Sequence, residues 1–270
     1  MNLIKEFQQI LKGKQIDAYI IPTCDYHNSE YVSDFFKARA YLSNFTGSAG
    51  TLLVTQTEAF LWTDGRYHIQ AAKQIDTNTI TLMKQGLPGV PSLIEHLKNI
   101  LKDNQTLGFD GKVIPTQLGL ALKNNLPKIN FKTDEDLITS IWSNRPNLPF
   151  SMLYRLDSFF SGKSFEDKIK QIRVEMKKLG CDAHILTSLE DQAWLYNLRA
   201  DDIPHTPVFL AYTIVFENQC YLFIDENKID KTIEKYLKDN NILSYAYFEF
   251  YKYIKTIKDK KILVDFNKIN

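Results

Sequence analysis

The sequence predicts an α/β protein made of two related domains. Three observations support this prediction: the length of the chain, the alternation of helix-like and strand-like segments, and a repeat of the same segment order in the second half. At roughly 100–200 residues per domain, the 270 residues correspond to two domains or to one large one. Hydrophobic residues make up 44% of the chain and charged residues 24%, and this composition excludes wholesale disorder and low-complexity fibres.

The first half alternates between the two kinds of segment. Apolar residues recur at helical spacing from Leu3 to Leu11, so a helix opens the chain. Gln56 and Thr57 separate two β-rich runs, which indicates a hairpin. The predicted strands cover residues 17–21, 51–55, 58–62, 79–83, 106–109 and 128–132, and the predicted helices that follow the first one cover residues 66–75, 92–101 and 116–123. Such alternation is typical of an α/β architecture.

A loop-like stretch separates the two halves. Residues 141–162 are rich in Asn, Pro and Ser and end in a Gly, a composition that favours turns over regular structure. We therefore predict a first domain at residues 1–150 and a second at residues 160–270. Ser164 and Asp167 have the pattern of a helix start. The apolar stripe predicted for that helix consists of Phe165, Ile169, Ile172, Met176 and Leu179.

The second half repeats the first. Three pairs of segments correspond in order: 16–21 with 181–186, 51–64 with 213–225, and 106–110 with 261–265. This order indicates duplication of a whole domain. The first copy continues from Asp110 to about Trp142, whereas five residues follow Asp265. We therefore expect the second copy to be truncated near its end, and a naturally shortened copy is the alternative.

Charge and cysteine content narrow the class of protein. Lys plus Arg is 33 and Asp plus Glu is 32, a balance that gives no support for a nucleic-acid or membrane binder. No apolar run approaches the roughly 20 residues that span a bilayer. Cys24, Cys181 and Cys220 show no C-x-x-C spacing, so neither a disulfide framework nor a zinc site is indicated. We predict a soluble cytoplasmic protein.

Histidines and serines give weak evidence of catalysis. The best metal-ligand cluster ends at His205, and a polar loop at residues 201–205 is the simpler interpretation. His184 is expected to be core or half-buried in a strand, and His96 is expected on the exposed face of a helix. Ser48 lies between glycines but lacks the G-x-S-x-G pattern, so residues 47–50 are expected to form a tight turn.

Two segments are richer in polar groups than folding requires. Residues 25–31 follow the first strand, where α/β folds place ligand contacts. Residues 62–67 end a strand, turn, and begin a helix, which places Arg66 at the corner. A guanidinium there can hold a carboxylate or a peptide carbonyl through paired hydrogen bonds. The alternative is an internal ion pair with Asp64, or packing of Arg66 on Tyr67.

Together with motifs in the second half, these segments identify a family. The motifs are Asp25, His27, Ser29, Glu30 and Tyr31, then residues 45–51, 62–67 and 70–72, and finally 194–199, 202–204 and 207–209. In this order they resemble the amino-terminal part of the Xaa-Pro aminopeptidases (aminopeptidase P) of the creatinase/prolidase superfamily, most closely the three-domain cytosolic type. Two positions depart from the family pattern: Ala200 stands where Gly is usual, and Thr206 where Asn is usual.

The resemblance implies a fold for this chain and an activity for the longer enzyme, here called the parent, of which the chain would be a part. It implies two tandem creatinase-N-terminal-like domains, each with a mixed sheet flanked by helices, and a third, catalytic pita-bread domain that is absent here. That domain would hold two divalent metals, usually manganese, on two Asp, one His and two Glu. The parent would be a homodimer that removes an amino-terminal residue preceding proline from peptides. This chain alone is expected to be inactive and to hold no metal.

The resemblance also implies roles for individual residues. The first domain would contribute to the dimer and to the substrate entrance, with Arg66 in contact with bound peptide and the loop of His27 and Glu30 at the border of that entrance. In the second half, Asn197, Arg199 and Asp202 are expected to structure loops or contacts between domains. The alternatives are a catalytically dead aminopeptidase-like binding module, and a sister enzyme such as prolidase or creatinase, against which the tandem domains argue.

Overall fold

The computed structural model describes residues 2–270, which form two compact units. One unit ends at Asn147, and the next is Leu148–Ile269. The strands are β1 Ala18–Pro22, β2 Thr51–Thr55, β3 Ala59–Thr63, β4 Thr81–Lys84, β5 Thr106–Gly108, β6 Asn130–Lys132, β7 Tyr154–Arg155, β8 Ala183–Leu186, β9 Leu198–Arg199, β10 Ala211–Phe216, β11 Cys220–Ile224, β12 Ile242–Ala246 and β13 Ile262–Leu263. The α-helices are α1 Leu3–Gly13, α2 Ala38–Ser43, α3 His68–Gln74, α4 Leu93–Ile100, α5 Thr116–Asn125, α6 Ser158–Ser161, α7 Phe165–Lys178, α8 Leu189–Tyr196, α9 Lys231–Asp239 and α10 Glu249–Tyr253.

The first unit is built on a mixed sheet with helices on both faces. Its strand order is β4-β3-β2-β1-β5-β6. The contacts β1–β2 and β2–β3 are antiparallel, and the other three are parallel. Successive residues of β1 face opposite layers: Tyr19 packs in the layer of α1, α2 and α3, and Ile20 packs in that of α4 and α5. Because both faces are covered, β1 and β3 are buried at every residue and consist mostly of apolar side chains.

The second unit repeats this topology. Its larger sheet has the order β12-β11-β10-β8-β13, and β7 pairs separately with β9. The contacts β8–β10 and β10–β11 are antiparallel, whereas β11–β12 and β8–β13 are parallel. Each of the five strands therefore has a counterpart of the same orientation in the first sheet. The predicted fold class, two tandem α/β domains with mixed sheets flanked by helices, is confirmed.

Local signals place several helix starts where the sequence predicts them. Ser92 and Glu95 form a capping box at the start of α4. The side chain of Ser164 accepts a hydrogen bond from the Asp167 N–H (3.1 Å) at the start of α7. The third helix begins at His68 rather than at residue 66, because Asp64 to Tyr67 form a turn of their own.

Two expectations about exposure are wrong. His96 packs edge-on against Phe60 at 4.3 Å and Trp62 at 5.3 Å between ring centroids, and burial lowers the pKa of its imidazole. Leu179 is 52% exposed because α7 has already ended at Lys178. The buried face of α7 includes Lys168 instead, whose amine reaches backbone and amide oxygens.

Two further properties of the described residues concern membranes and thiols. No helix within residues 2–270 has both the length and the apolar character needed to cross a membrane. Cys24 and Cys220 are buried, Cys181 is half-buried, and all three are free thiols. Burial raises the pKa of Cys220 to about 11, so this thiol is protonated at neutral pH.

Candidate functional site

The corner after β3 is shaped by the carboxylate of Asp64. Its Oδ1 accepts a hydrogen bond from the Arg66 N–H at 3.0 Å. The Tyr67 N–H donates to the Asp64 carbonyl at 3.0 Å. This local bonding pattern is the Asx turn that aspartate favours, and it leads the chain from the strand into α3.

Arg66 pairs with Asp64 through two further hydrogen bonds. Arg66 Nε donates to Oδ1 at 2.9 Å, and a terminal nitrogen donates to Oδ2 at 2.8 Å. These bonds lower the pKa of Asp64 to about 2 and raise the pKa of Arg66. The guanidinium also lies 5.3 Å from the ring centroid of Tyr67. The structure therefore contains the internal contacts considered as the alternative for this corner.

These contacts leave Arg66 able to bind more. A guanidinium has five N–H donors, and the pair with Asp64 uses two of them. The Arg66 side chain is 70% exposed. Three donors therefore face solvent on a group that the ion pair already holds in position.

The duplicated domain provides an internal comparison for Arg66. Asp225 follows the matching strand β11 and forms the same turn, accepting from the Asn227 N–H at 3.0 Å. The position that corresponds to Arg66 is therefore occupied by Asn227, which adds a hydrogen bond to Asp225 at 2.9 Å. Because the turn forms without an arginine in the second copy, the turn alone does not account for Arg66.

The glycine-rich segment before β2 packs against the same corner. The hydroxyls of Ser48 and Tyr67 are 2.8 Å apart. The ring of Phe45 meets Tyr67 edge-on at 5.8 Å. A Cβ on Gly47 would lie 2.3 Å from Phe45 Cζ, which leaves room only for glycine. The segment is thus the expected tight turn, and it presents Ser48 and Tyr67 side by side at the surface.

Arg39 holds this turn from below, and sequence reasoning missed it. The residue is 3% exposed, and its guanidinium donates to Thr23 Oγ1 at 2.9 Å, to the Phe45 carbonyl at 2.5 Å and to the Gly47 carbonyl. Burial lowers its pKa to about 10. The one available signal was an arginine in a short helix directly before the glycine-rich segment.

Of the two residues that the sequence analysis placed at the substrate entrance, His27 and Glu30, the loop after β1 brings Glu30 close to Arg66. Asp25 is fully buried and accepts from the N–H groups of His27 and Ser29, both at 2.9 Å. Glu30 is exposed and contributes electrostatically to the raised pKa of Arg66. His27 is 1% exposed and lies inside the loop. The surface at this corner therefore combines Arg66 with Glu30.

Polar residues of the second unit structure its loops. Asp202 and Lys228 form a buried ion pair, and Asp202 also accepts from Ser151 Oγ and the Leu210 N–H, both at 2.8 Å. Asn197 adopts a positive φ of 52° at the end of α8. These contacts lie inside the unit and order the chain around its sheet.

The candidate metal ligands within residues 201–205 do not converge. Asp202 is buried in its ion pair, whereas Asp201 and His205 are exposed. Within residues 2–270, no group of three or more His, Cys, Asp or Glu side chains is arranged to hold a metal ion.

Comparison with known proteins gives matches along nearly the whole chain. Family models described as Creatinase/Prolidase N-terminal domain match residues 4–141 and residues 144–270. A probable Xaa-Pro aminopeptidase P from Coprinopsis cinerea is 38% identical over 93% of this chain. Aminopeptidase P2 from Arabidopsis thaliana is 37% identical over 85% of this chain. The chain spans 40% and 33% of the lengths of these relatives.

A solved structure matches both units at once. The X-prolyl aminopeptidase from Caenorhabditis elegans, described as a cytosolic enzyme with a di-nuclear active site, aligns with 93% of this chain and 42% of its own length. The TM-score is 0.88 and the sequence identity is 32%. The similarity to Xaa-Pro aminopeptidases predicted from the motifs is confirmed.

Proposed function

Because this chain belongs to the creatinase/prolidase N-terminal domain family and carries that domain twice, we propose that it forms the two non-catalytic amino-terminal domains of an Xaa-Pro aminopeptidase. The parent enzyme hydrolyses the bond between an amino-terminal residue and a following proline. The observation that carries the proposal is the match of both units, over 93% of the chain, to one X-prolyl aminopeptidase.

The metal chemistry of the parent belongs to residues outside this chain. The residues described here do not fit a two-metal site, since no suitable ligand group occurs among them. The relative from Caenorhabditis elegans has a di-nuclear active site. The proposal therefore assigns two divalent metals, manganese by the family resemblance, to a further domain of the parent. The 270-residue chain alone is inactive, and the parent is a cytoplasmic homodimer.

Arg66 is the proposed peptide contact of the first unit. Three of its N–H donors face solvent, and the pair with Asp64 fixes the direction of the guanidinium. Such donors suit a peptide carbonyl or carboxylate. Glu30 adds an exposed acceptor nearby. His27 is buried, so its proposed part at the entrance is to shape the loop that carries Glu30.

The coding sequence beyond codon 270 tests the proposal. The expected result is a frame that encodes two Asp, one His and two Glu in the family's metal-ligand motifs. A frame that continues without these ligands refutes the assignment of the parent as an enzyme and supports the alternative of a catalytically dead binding module. A second test substitutes Arg66→Ala in the longer protein, where KM for a peptide such as Arg-Pro-Pro should rise more than kcat falls. An unchanged KM contradicts the role of Arg66.

A further inference from the structure

A short segment at the start of the second unit exposes several large apolar side chains. Within residues 150–160, here called the aromatic segment, Phe159 is 85% exposed and Phe160 is 74% exposed. Phe150 is 58% exposed, and Met152 and Tyr154 are each 47% exposed. With about 150–250 Å² on each large side chain, the five together leave roughly 500–700 Å² open to solvent. Since soluble monomers rarely expose contiguous apolar patches of more than a few hundred Å², this exposure indicates an interaction surface.

Backbone hydrogen bonds hold the aromatic segment against the second unit. The Leu153 N–H donates to the Lys228 carbonyl at 3.0 Å, and the Leu156 N–H donates to the Asn197 carbonyl at 2.8 Å. The Leu153 side chain is 3% exposed. Because successive side chains of an extended chain point to opposite sides, its two neighbours face away from the unit. The segment therefore presents its exposed side chains from a fixed backbone.

The two most exposed rings lie on α6, a helix of one turn. Asp157 Oδ1 accepts from the Phe159 N–H at 2.7 Å, and Gly162 ends the turn with a φ of 76°. The rings of Phe159 and Phe160 meet edge-on with 5.2 Å between their centroids. Because hydrophobic stabilisation scales with the apolar area that is buried, rings this exposed contribute little to the fold of the unit.

The last residues of this chain lie close to the aromatic segment. The Lys268 carbonyl accepts a hydrogen bond from Thr187 Oγ1, shortly before α8 begins. The segment is bonded to Asn197, directly after α8 ends. The 8 residues of α8 span about 12 Å. A domain that continues from this chain is therefore within reach of the aromatic segment.

The length of the relatives favours such a domain as the occupant. This chain matches 42% of the length of the enzyme from Caenorhabditis elegans, so the remainder of a parent of that size is longer than this chain. Surfaces joined in one chain meet at an effective concentration in the millimolar range, an advantage that a second copy lacks. The aromatic segment carries one Arg and one Asp, and an apolar surface without net charge is typical of permanent contacts.

We propose that the aromatic segment is the docking surface for the further, metal-holding domain of the parent, with Phe159 and Phe160 as its anchors. The inference rests on the proposed function, because the occupant is the domain that the proposed function adds to this chain. Docking at this surface holds the second unit to the domain that carries the chemistry.

Hydroxyl-radical footprinting with mass spectrometry compares the aromatic segment in three proteins. They are the 270-residue chain, a chain extended by about 30 residues to complete the second copy, and the longer protein. Oxidation of Met152, Phe159 and Phe160 should be about five- to tenfold slower in the longer protein alone, because docking covers their exposed fraction. Met176, which is 3% exposed, is the buried reference and should stay slow in all three.

Substitution of the two anchors tests the same contact. In the longer protein, Phe159→Ser combined with Phe160→Ser should restore fast oxidation of Met152. Both side chains are largely exposed, so the second unit should still fold. Phe248→Ser, at a half-exposed ring outside the segment, is the matched control and should leave Met152 protected.

Three results overturn the inference. One is equal oxidation of the segment in the 270-residue chain and in the longer protein. Another is protection already present in the extended chain, which would show that the rest of the second copy covers the segment. The third is protection of the 270-residue chain that grows with its concentration, which would show a second copy as the occupant.

The outcome for docking is separate from the outcome for activity. Protection in a longer protein without peptidase activity refutes the parent function and leaves the docking surface standing. An active longer protein with an unprotected segment refutes the docking surface and leaves the parent function standing. A reading frame that ends at codon 270 refutes both.

Discussion

Arg39→Met tests whether one buried guanidinium holds the turn beneath Tyr67. Methionine keeps much of the aliphatic volume but removes every donor, so the carbonyls of Phe45 and Gly47 lose their charged partner. Hydrogen bonds to charged groups contribute about 1.5–3 kcal/mol each, and Arg39 makes three such bonds.

Part of that contribution is offset by the cost of burying the charge. A fall in the pKa of Arg39 from 12.5 to about 10 corresponds to about 3 kcal/mol. The expected net loss in the free energy of unfolding is therefore about 1.5–6 kcal/mol. The free energy of unfolding of Arg39→Lys should lie between that of the unsubstituted chain and that of Arg39→Met. A lysine keeps the charge, but one ammonium does not span both carbonyls as the planar guanidinium does.

Urea unfolding measures this loss directly. In a Trp194→Phe background, fluorescence comes from Trp62 and Trp142, both in the first unit. Lys102→Met, at an exposed lysine of the first unit, is the control and should change the free energy of unfolding by less than about 0.5 kcal/mol. An Arg39→Met protein within about 1 kcal/mol of the parent chain would refute the reasoning.

Three further perturbations have defined outcomes. Asp202→Asn leaves the Lys228 amine buried without its carboxylate. Calorimetry should therefore show the second unit destabilised by about 3–5 kcal/mol. The control Lys235→Met breaks an exposed ion pair and should destabilise this unit by less than about 1 kcal/mol. Gly47→Ala places Cβ against Phe45 and should cost about 1–3 kcal/mol; an unchanged Tm contradicts the crowding. In Arg66→Gln, NMR titration should show the pKa of Asp64 rising from about 2 towards 3.8.

The sign of the Asp64 effect follows from the depressed pKa. Because the folded chain holds Asp64 ionised more strongly than the unfolded chain does, the pair stabilises the fold fully above the ordinary pKa of 3.8. That contribution is lost as the pH falls through about 2. A titration near 3.8 in the unsubstituted chain would show that the pair does not persist in solution.

Local patterns predicted the elements whose signals lie within a few residues. The hairpin of β2 and β3 follows from two β-rich runs around Gln56 and Thr57, and α4 follows from the Ser92 capping box. The repeat of segment order predicted a duplicated domain, and the two sheets of the structure share their strand order and orientation. In these cases the residues that form the element also carry the information that specifies it.

Contacts between distant residues account for most of what the sequence did not show. The partners of Arg39 are set by how α2 meets the glycine-rich segment, not by spacing along a helix. Lys168 is buried because α8 ends beside it and presents an oxygen of Asn197. His96 turns inward because the rings of Phe60 and Trp62 cover one face of the sheet. At the corner itself, the sequence pointed to Arg66 and gave its internal pair with Asp64 as the alternative. The structure shows that pair and adds the proximity of Arg66 to Glu30.

The most direct measurement of the central proposal compares two proteins on one substrate. The 270-residue chain and the longer protein that the proposal expects from its gene are each incubated with Arg-Pro-Pro and manganese, and released arginine is quantified per mole of protein. The account predicts release by the longer protein alone, and loss of that release with a metal chelator. Equal release by the 270-residue chain, or none by the longer protein, would contradict it.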